Sequence, residues 1–436
     1  METRSLIYVI FYRLLLDIAY FQVISPVYSY MGFHDYRKVE FFVVSWILLL
    51  VSFQFLTFIW RRKNGSAFVI LYVYLVSFVP FTTCVYAGIM SLGCILGNAL
   101  YWTFLLLLYR LICKDAGGKQ IKFRLGHIKI DDEPLQIWFL LMLAVISYVS
   151  YYYANFRVIA DFDIVYQYRS EARNYPLLTV TRYLFSMSRM TLAILWGYFI
   201  YERKWIGACA VLVLQVLNFG IDGSKNILFV TLLVGSILVL CKKKSEQDIK
   251  FFFCKILSGM VFGGILEEWI LGTHWILGRI VRRFLFVPNY LHEVYYDYFA
   301  VHEVDMFRGS FLRWLGYISS YSQQGGIPQT IGKYMGSNSN ANNGLFSDAM
   351  ANMGLAGIVM LPLVIVLFLF LFDVCTIYLS RELVAAAAFP VAWSFTGSSF
   401  GTVLLTHGAL LALVLMMFMR RVPTPSGKAE VSVDGS

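Results

Sequence analysis

From residue 6 to residue 419 the chain consists mainly of apolar runs about as long as a bilayer is thick, and few folds accept that. In hydrocarbon every backbone N–H and C=O must find its partner within a helix or a closed barrel, and roughly 20 apolar residues satisfy this as one helix. The runs are 6–25, 40–60, 67–87, 89–112, 135–154, 183–201, 205–221, 227–241, 251–270, 355–379, 383–400 and 402–419. They predict an all-α, polytopic membrane protein of about 12 transmembrane helices. Two of the runs, 205–221 and 227–241, are short enough for a tilted or re-entrant pair. Charged residues make up only 14% of the chain, whereas a soluble domain carries about 25%. No cleavable leader is expected, because the first run contains Arg13 and Asp17 and lacks a small-residue cleavage site.

Lys and Arg orient the runs. With the N-terminus inside, the cytoplasmic connections are Arg61-Arg62-Lys63, the 114–134 loop, Arg203-Lys204, Lys242-Lys243-Lys244 with Lys250, Arg381, and Arg420-Arg421. Every second connection is basic, which is the positive-inside pattern, and an odd number of spans would break it. The net charge of +10 therefore reflects membrane orientation, and nucleic acid is not an expected partner. Residues 1–420 form one transmembrane domain on this reading. Residues 421–436, polar and without periodicity, form a disordered cytoplasmic tail.

The outward connections are Met31–Lys38, a tight turn near Gly88, the 155–182 loop, the Asp222–Asn226 turn, the 267–354 loop and the Gly397–Gly401 turn. They hold Arg37, Arg157, Arg169, Arg173, Arg182, Arg279, Arg282, Arg283, Arg308 and Arg313, yet only Lys38, Lys225 and Lys333. Positive charge is disfavoured on this side, and the bias to Arg points to binding geometry more than to bulk charge. On an α-helix Arg279, Arg282 and Arg283 share one face, as do Arg169 and Arg173. Several fixed guanidinium groups on one face suit a multi-oxygen phosphate, which they bind bidentately. Lys225, in the hydrophilic turn Asp222-Gly223-Ser224-Lys225-Asn226, adds a further cation at headgroup depth.

Asp297, His292 and Glu171 are the candidate general bases, since a carboxylate or imidazole near a cationic site is what activating a hydroxyl requires. Glu171 has a second reading as a partner that holds an arginine. Within the spans, Arg13 and Asp17 lie four apart and neutralise each other, Arg189 reaches toward the outer loops, and His407 reads as a hydrogen-bonded packing residue. The seven cysteines all fall in or beside apolar runs and show neither a disulfide framework nor metal spacing, so no metal or cofactor is expected. Walker, HExxH, CxxC and GxSxG motifs are absent.

The layout resembles the O-antigen polymerase family, the Wzy-type oligosaccharide repeat-unit polymerases. The likeness rests on Tyr166–Arg173, on Asp222-Gly223-Ser224-Lys225, on Gly278-Arg279-Ile280 through Arg283, Pro288 and Tyr295–Phe299, and on Asn343–Ala349 running to Asn352–Gly357 at the mouth of a span. The resemblance implies a GT-C-related glycosyltransferase of the bacterial inner membrane with two sizeable periplasmic loops and both termini in the cytoplasm. It would polymerise undecaprenyl-pyrophosphate-linked repeat units into O-antigen or capsular polysaccharide, alongside membrane lipids and a chain-length regulator of the same pathway. Arg169, Arg173, Lys225, Arg279, Arg282 and Arg283 would then hold the pyrophosphate. The related O-antigen ligases carry a His before a Gly-x-x-Gly span start. Here Gly354 and Gly357 fit that start, but 338–343 holds no His, which argues against a ligase and leaves the base unassigned. The rival classes are a transporter or flippase for an anionic lipid-linked saccharide, which calls for charge at mid-membrane and repeat symmetry, and an acyltransferase, for which His407 is the one in-span His.

Overall fold

A computed structural model describes residues 2–113, 132–159, 164–242 and 244–419. The tail 421–436 and most of the 114–134 loop lie outside them. Among the described residues the regular structure is helical, and eight helices are long and apolar enough to cross a membrane. These are α1 (Thr3–Met31), α2 (Val39–Arg61), α3 (Gly65–Tyr86), α4 (Leu92–Ile112), α5 (Glu133–Ala154), α8 (Trp205–Asp222), α10 (Gln247–Leu271) and α13 (Phe346–Thr376). The other predicted runs are helical too: α7 (Thr179–Tyr201), α9 (Lys225–Cys241), α14 (Arg381–Gly397) and α15 (Ala409–Met417). A short α6 (Val165–Arg173) lies in the 155–182 connection, and α11 (Val287–Val301) and α12 (Ile327–Tyr334) lie in 267–354.

Local chemistry sets the ends of these helices. The Ser91 side chain accepts the Cys94 N–H at 3.3 Å and starts α4. Gly223 and Gly272 end α8 and α10 in the left-handed conformation that a Cβ disfavours. Pro134, Pro288 and Pro328 stand in first turns, where their missing N–H costs nothing. The core runs through α3, whose most apolar 18-residue window is entirely buried. Uniformly apolar α3 can be enclosed on every side, because its backbone groups are satisfied internally.

Ties between helices sort the connections into two ends of the bundle. At one end Lys250 Nζ donates to the carbonyls of Ile59 at 2.9 Å and Trp60 at 3.2 Å, Asp373 accepts the Ser66 N–H at 2.7 Å, and Lys204 pairs with Asp132. At the other end Arg157 donates to Gly220 O at 2.7 Å, Ser91 N donates to Glu293 at 2.9 Å, and Phe400 N donates to Asp348 at 2.7 Å.

The 267–354 segment is a folded cap and not an open loop. Leu291, Val294, Tyr295, Tyr298, Phe299, Tyr321 and Ile331 form an apolar cluster of their own. Buried Asp305 accepts from Gly309 N at 2.7 Å and from the Ser319 hydroxyl, while its own N–H donates to Ala351 O at 2.8 Å. The Asn- and Ser-rich stretch 337–344 is laid over α11: Tyr295 donates to Ala341 O at 2.8 Å, and Asn343 donates to Pro288 O at 2.7 Å.

Candidate functional site

The 155–182 connection is fastened to the end of α8. Arg157 donates to the carbonyls of Gly220 and Ile221 and to the Tyr175 hydroxyl, and it lies 3.9 Å from the Tyr168 ring centroid. Glu171 closes this cluster with an ion pair to Arg157 at 2.8 Å. Through Oε2 it therefore acts as an arginine's partner, the second of its two sequence readings. Arg169 donates to Gly223 O at 3.2 Å, beside the turn that starts α9. Arg173, at the exposed end of α6, has no side-chain partner among the described residues.

Arg279, Arg282 and Arg283 do not share a face. The stretch Ile276–Phe286, which leads directly into α11, is π-helical. An i→i+5 ladder turns each residue by only about 80°, so positions four apart overlie, and positions three apart diverge by about 110°. Gly278 and Arg282 accordingly form one file against α1. The Tyr28 hydroxyl sits where a Cβ on Gly278 would be, and the Arg282 guanidinium stacks 4.2 Å from the Tyr28 centroid while donating to Gly278 O at 3.1 Å. Arg282 is buried, and burial lowers its pKa. Arg279 and Arg283 form the neighbouring file, exposed and without hydrogen-bond or ion-pair partners among the described residues. Arg279 and Arg283 thus share the exposed face that the α-helical spacing predicts, and Arg282 lies on the buried one.

His292 is 1% exposed. Asn343 donates to Pro288 O and, at 2.8 Å, to Ser347 Oγ, which leaves the Ser347 proton for His292 Nδ1, also at 2.8 Å. The imidazole is then a neutral Nε2–H tautomer. Burial lowers its pKa to about 3, so it stays neutral at physiological pH, and it is walled off from any substrate. Asp297 stands exposed on α11, one turn beyond Glu293. Burial raises the pKa of both carboxyls. The Ser91 N–H works against the rise at Glu293, and a hydrogen bond between the two carboxyls works against it at Asp297.

A cavity of about 140 Å³ opens at this end, between α7, α9, α14 and the start of the last span. Arg189, Ser224, Asn226, Ser394, Ser398 and His407 supply its polar wall, and Trp393 closes one side. Arg189 is held by Asp222 at 2.5 Å. Both arginine-bearing segments border this cavity. Ser224 and Asn226 flank Lys225 and adjoin Gly223, on which Arg169 rests. On the other side Trp393 packs 4.7 Å from Phe284, which follows Arg283 directly, and Phe284 stacks on Phe229 of α9 at 6.1 Å. No contact among the described residues joins Arg173 to Arg279 or Arg283; the cavity wall lies between the two segments.

His407 differs from its sequence reading. Its ring makes no hydrogen bond among the described residues and lines the cavity. Trp393 and Ser394 carry no sign of this role in the sequence. The available signal was two ionisable residues, Arg189 and His407, inside otherwise apolar runs. Comparison of the chain with protein-family models, with curated proteins and with solved structures finds no match in any of the three.

Proposed function

We propose that the chain is an integral-membrane glycosyltransferase that polymerises oligosaccharide repeat units carried on undecaprenyl pyrophosphate, at the face bearing 155–182 and 267–354. On this proposal the fold is GT-C-related with twelve spans, set in a bacterial inner membrane with both termini cytoplasmic. One observation carries the reading: a cavity lined by Arg189, His407 and Trp393 adjoins the turn on which Arg169 rests on one side and, through Trp393, Phe284 next to Arg283 on the other. A polyprenyl diphosphate needs cations for its head and an apolar, membrane-level wall for its first isoprene units. Met190, Ile227, Val230, Pro390 and Trp393 offer that wall.

In the reaction, charge builds on the departing diphosphate oxygens, and preorganised guanidinium groups stabilise that charge. Arg279, Arg283 and Arg173, without partners among the described residues, are the cations available for it, with Arg189, Arg169 and Lys225 nearer the cavity. Arg282 supports the file through Tyr28. The transporter reading calls for unspent charge at mid-membrane. The charges inside the first span and α13 are engaged in structure instead: Arg13 pairs with Asp17 and donates to Thr82 at 2.7 Å, and Asp373 accepts from Ser66.

The test is a deletion strain complemented with Arg279→Ala, Arg283→Ala and the double variant at matched protein levels. Surface glycan that stops at one repeat unit supports the reading; an unchanged chain-length ladder in the double variant overturns it.

A further inference from the structure

We propose that His407 is the general base that deprotonates the acceptor hydroxyl, an assignment that rests on the polymerase reading. The three bases expected from sequence are all unsuited. Glu171 is committed to Arg157, and His292 is enclosed with its Nδ1 engaged. Asp297 is exposed, but the helix from Arg283 to Asp297 spans roughly 20 Å at about 1.5 Å per residue, too far to serve a sugar bonded to a diphosphate at the cavity.

The backbone presents His407 to the cavity. The last span is broken where it passes this point. Thr402–Thr406 forms a π-turn, His407 N donates to Thr402 O at 2.8 Å, and Gly408 takes φ 79° before α15 begins. A Cβ on Gly408 would stand 3.0 Å from the Met187 Cβ, so the break is packed tightly against α7. Within a membrane, irregular backbone is tolerated where it is buried in protein or lines a cavity, and single π-turns frequently mark functional positions. The imidazole shares the cavity with Arg189 and has no hydrogen-bond partner among the described residues. Enclosed His292, by contrast, has its Nδ1 bonded to Ser347.

The step balances as follows. The acceptor oxygen forms a bond to the anomeric carbon of the donor sugar, and the bond from that carbon to the diphosphate oxygen breaks. The electron pair leaves with the polyprenyl diphosphate. The hydroxyl proton passes to the unprotonated nitrogen of neutral His407 and is returned to solvent or to the departing diphosphate.

The test uses the full-length protein in lipid nanodiscs with purified lipid-linked repeat units, comparing wild type, His407→Gln and His407→Ala. Polymer formation and undecaprenyl pyrophosphate binding are both measured. The expected result is turnover at least about 100-fold lower, affinity within about twofold of wild type, and partial recovery of His407→Ala by added imidazole. The wild type should lose kcat on acidification, and the variants should lack that limb. Turnover within about threefold of wild type, affinity falling in step with turnover, or a wild-type kcat that is flat from about pH 3 to 8 overturns the assignment. If the wild type binds the lipid but forms no polymer, the polymerase reading itself fails. If either variant does not fold, the wild-type pH profile decides.

Discussion

Nη2 of Arg189 stands 2.5 Å from Oδ2 of Asp222, and Oδ1 of Asp222 accepts the Ser224 N–H at 2.9 Å. One carboxylate thus fixes α7 to the turn that opens α9 and sets the depth of the cavity. Arg189→Gln removes the partner of a largely buried carboxylate and is expected to cost about 1–3 kcal/mol of stability along with polymer formation. Adding Asp222→Asn should recover the melting temperature but not the activity. Recovery of both would make Arg189 purely structural.

Arg282 and its neighbours should separate by readout. Arg282→Ala takes a stacked guanidinium from Tyr28 and leaves a gap against Met31, so a lower melting temperature is expected. Arg279→Ala and Arg283→Ala touch no described partner and should melt as wild type does. Each should reduce turnover by about 10- to 100-fold, as loss of one preorganised charge donor does. Thermal melts and glycan gels on the three variants check both halves.

The cap seats on the bundle at Gly344. A Cβ there would lie 2.1 Å from Phe395 O and 2.5 Å from Ser398 O, backbone atoms that cannot rotate away. Gly344→Ala is expected to destabilise by about 1–3 kcal/mol. Gly397→Ala, which meets nothing within 4 Å, serves as the control and should fold normally. Expression and melting of the pair provide the measurement.

Acid should weaken the cap through His292. Burial holds its folded pKa near 3, below the unfolded value of about 6.5. Above about pH 6.5 neither state binds the proton and the contribution is complete. As pH falls from there toward 3, the unfolded chain gains the proton first, and stability drops by up to about 1.4 kcal/mol per pH unit. His292→Asn should therefore show a smaller melting shift than wild type between pH 7.5 and pH 5. An equal shift would assign the acid sensitivity elsewhere.

Much of the helical plan was legible in advance because it is local. Each apolar run satisfies its own backbone, Gly223 and Pro288 punctuate as their φ preferences require, and Arg13 meets Asp17 one turn away. The site was legible only in outline. Arg157 was one outer arginine among ten, and nothing in its neighbourhood announces that it takes Glu171 as partner. His407 was visible as an in-span imidazole, but whether such a ring packs or faces a cavity depends on helices that are distant in sequence.

Sequence alone determined that this chain is built of membrane-length helices and that ten of its arginines lie on one set of connections. Periodicity and hydrophobicity act within a single segment, so they can be read from that segment. Tertiary structure decided which arginine turns inward and which histidine meets the cavity. An i→i+4 and an i→i+5 ladder satisfy the same backbone, and it is the packing of Tyr28 on Gly278, made between helices far apart in sequence, that goes with the wider turn and sets Arg282 against α1.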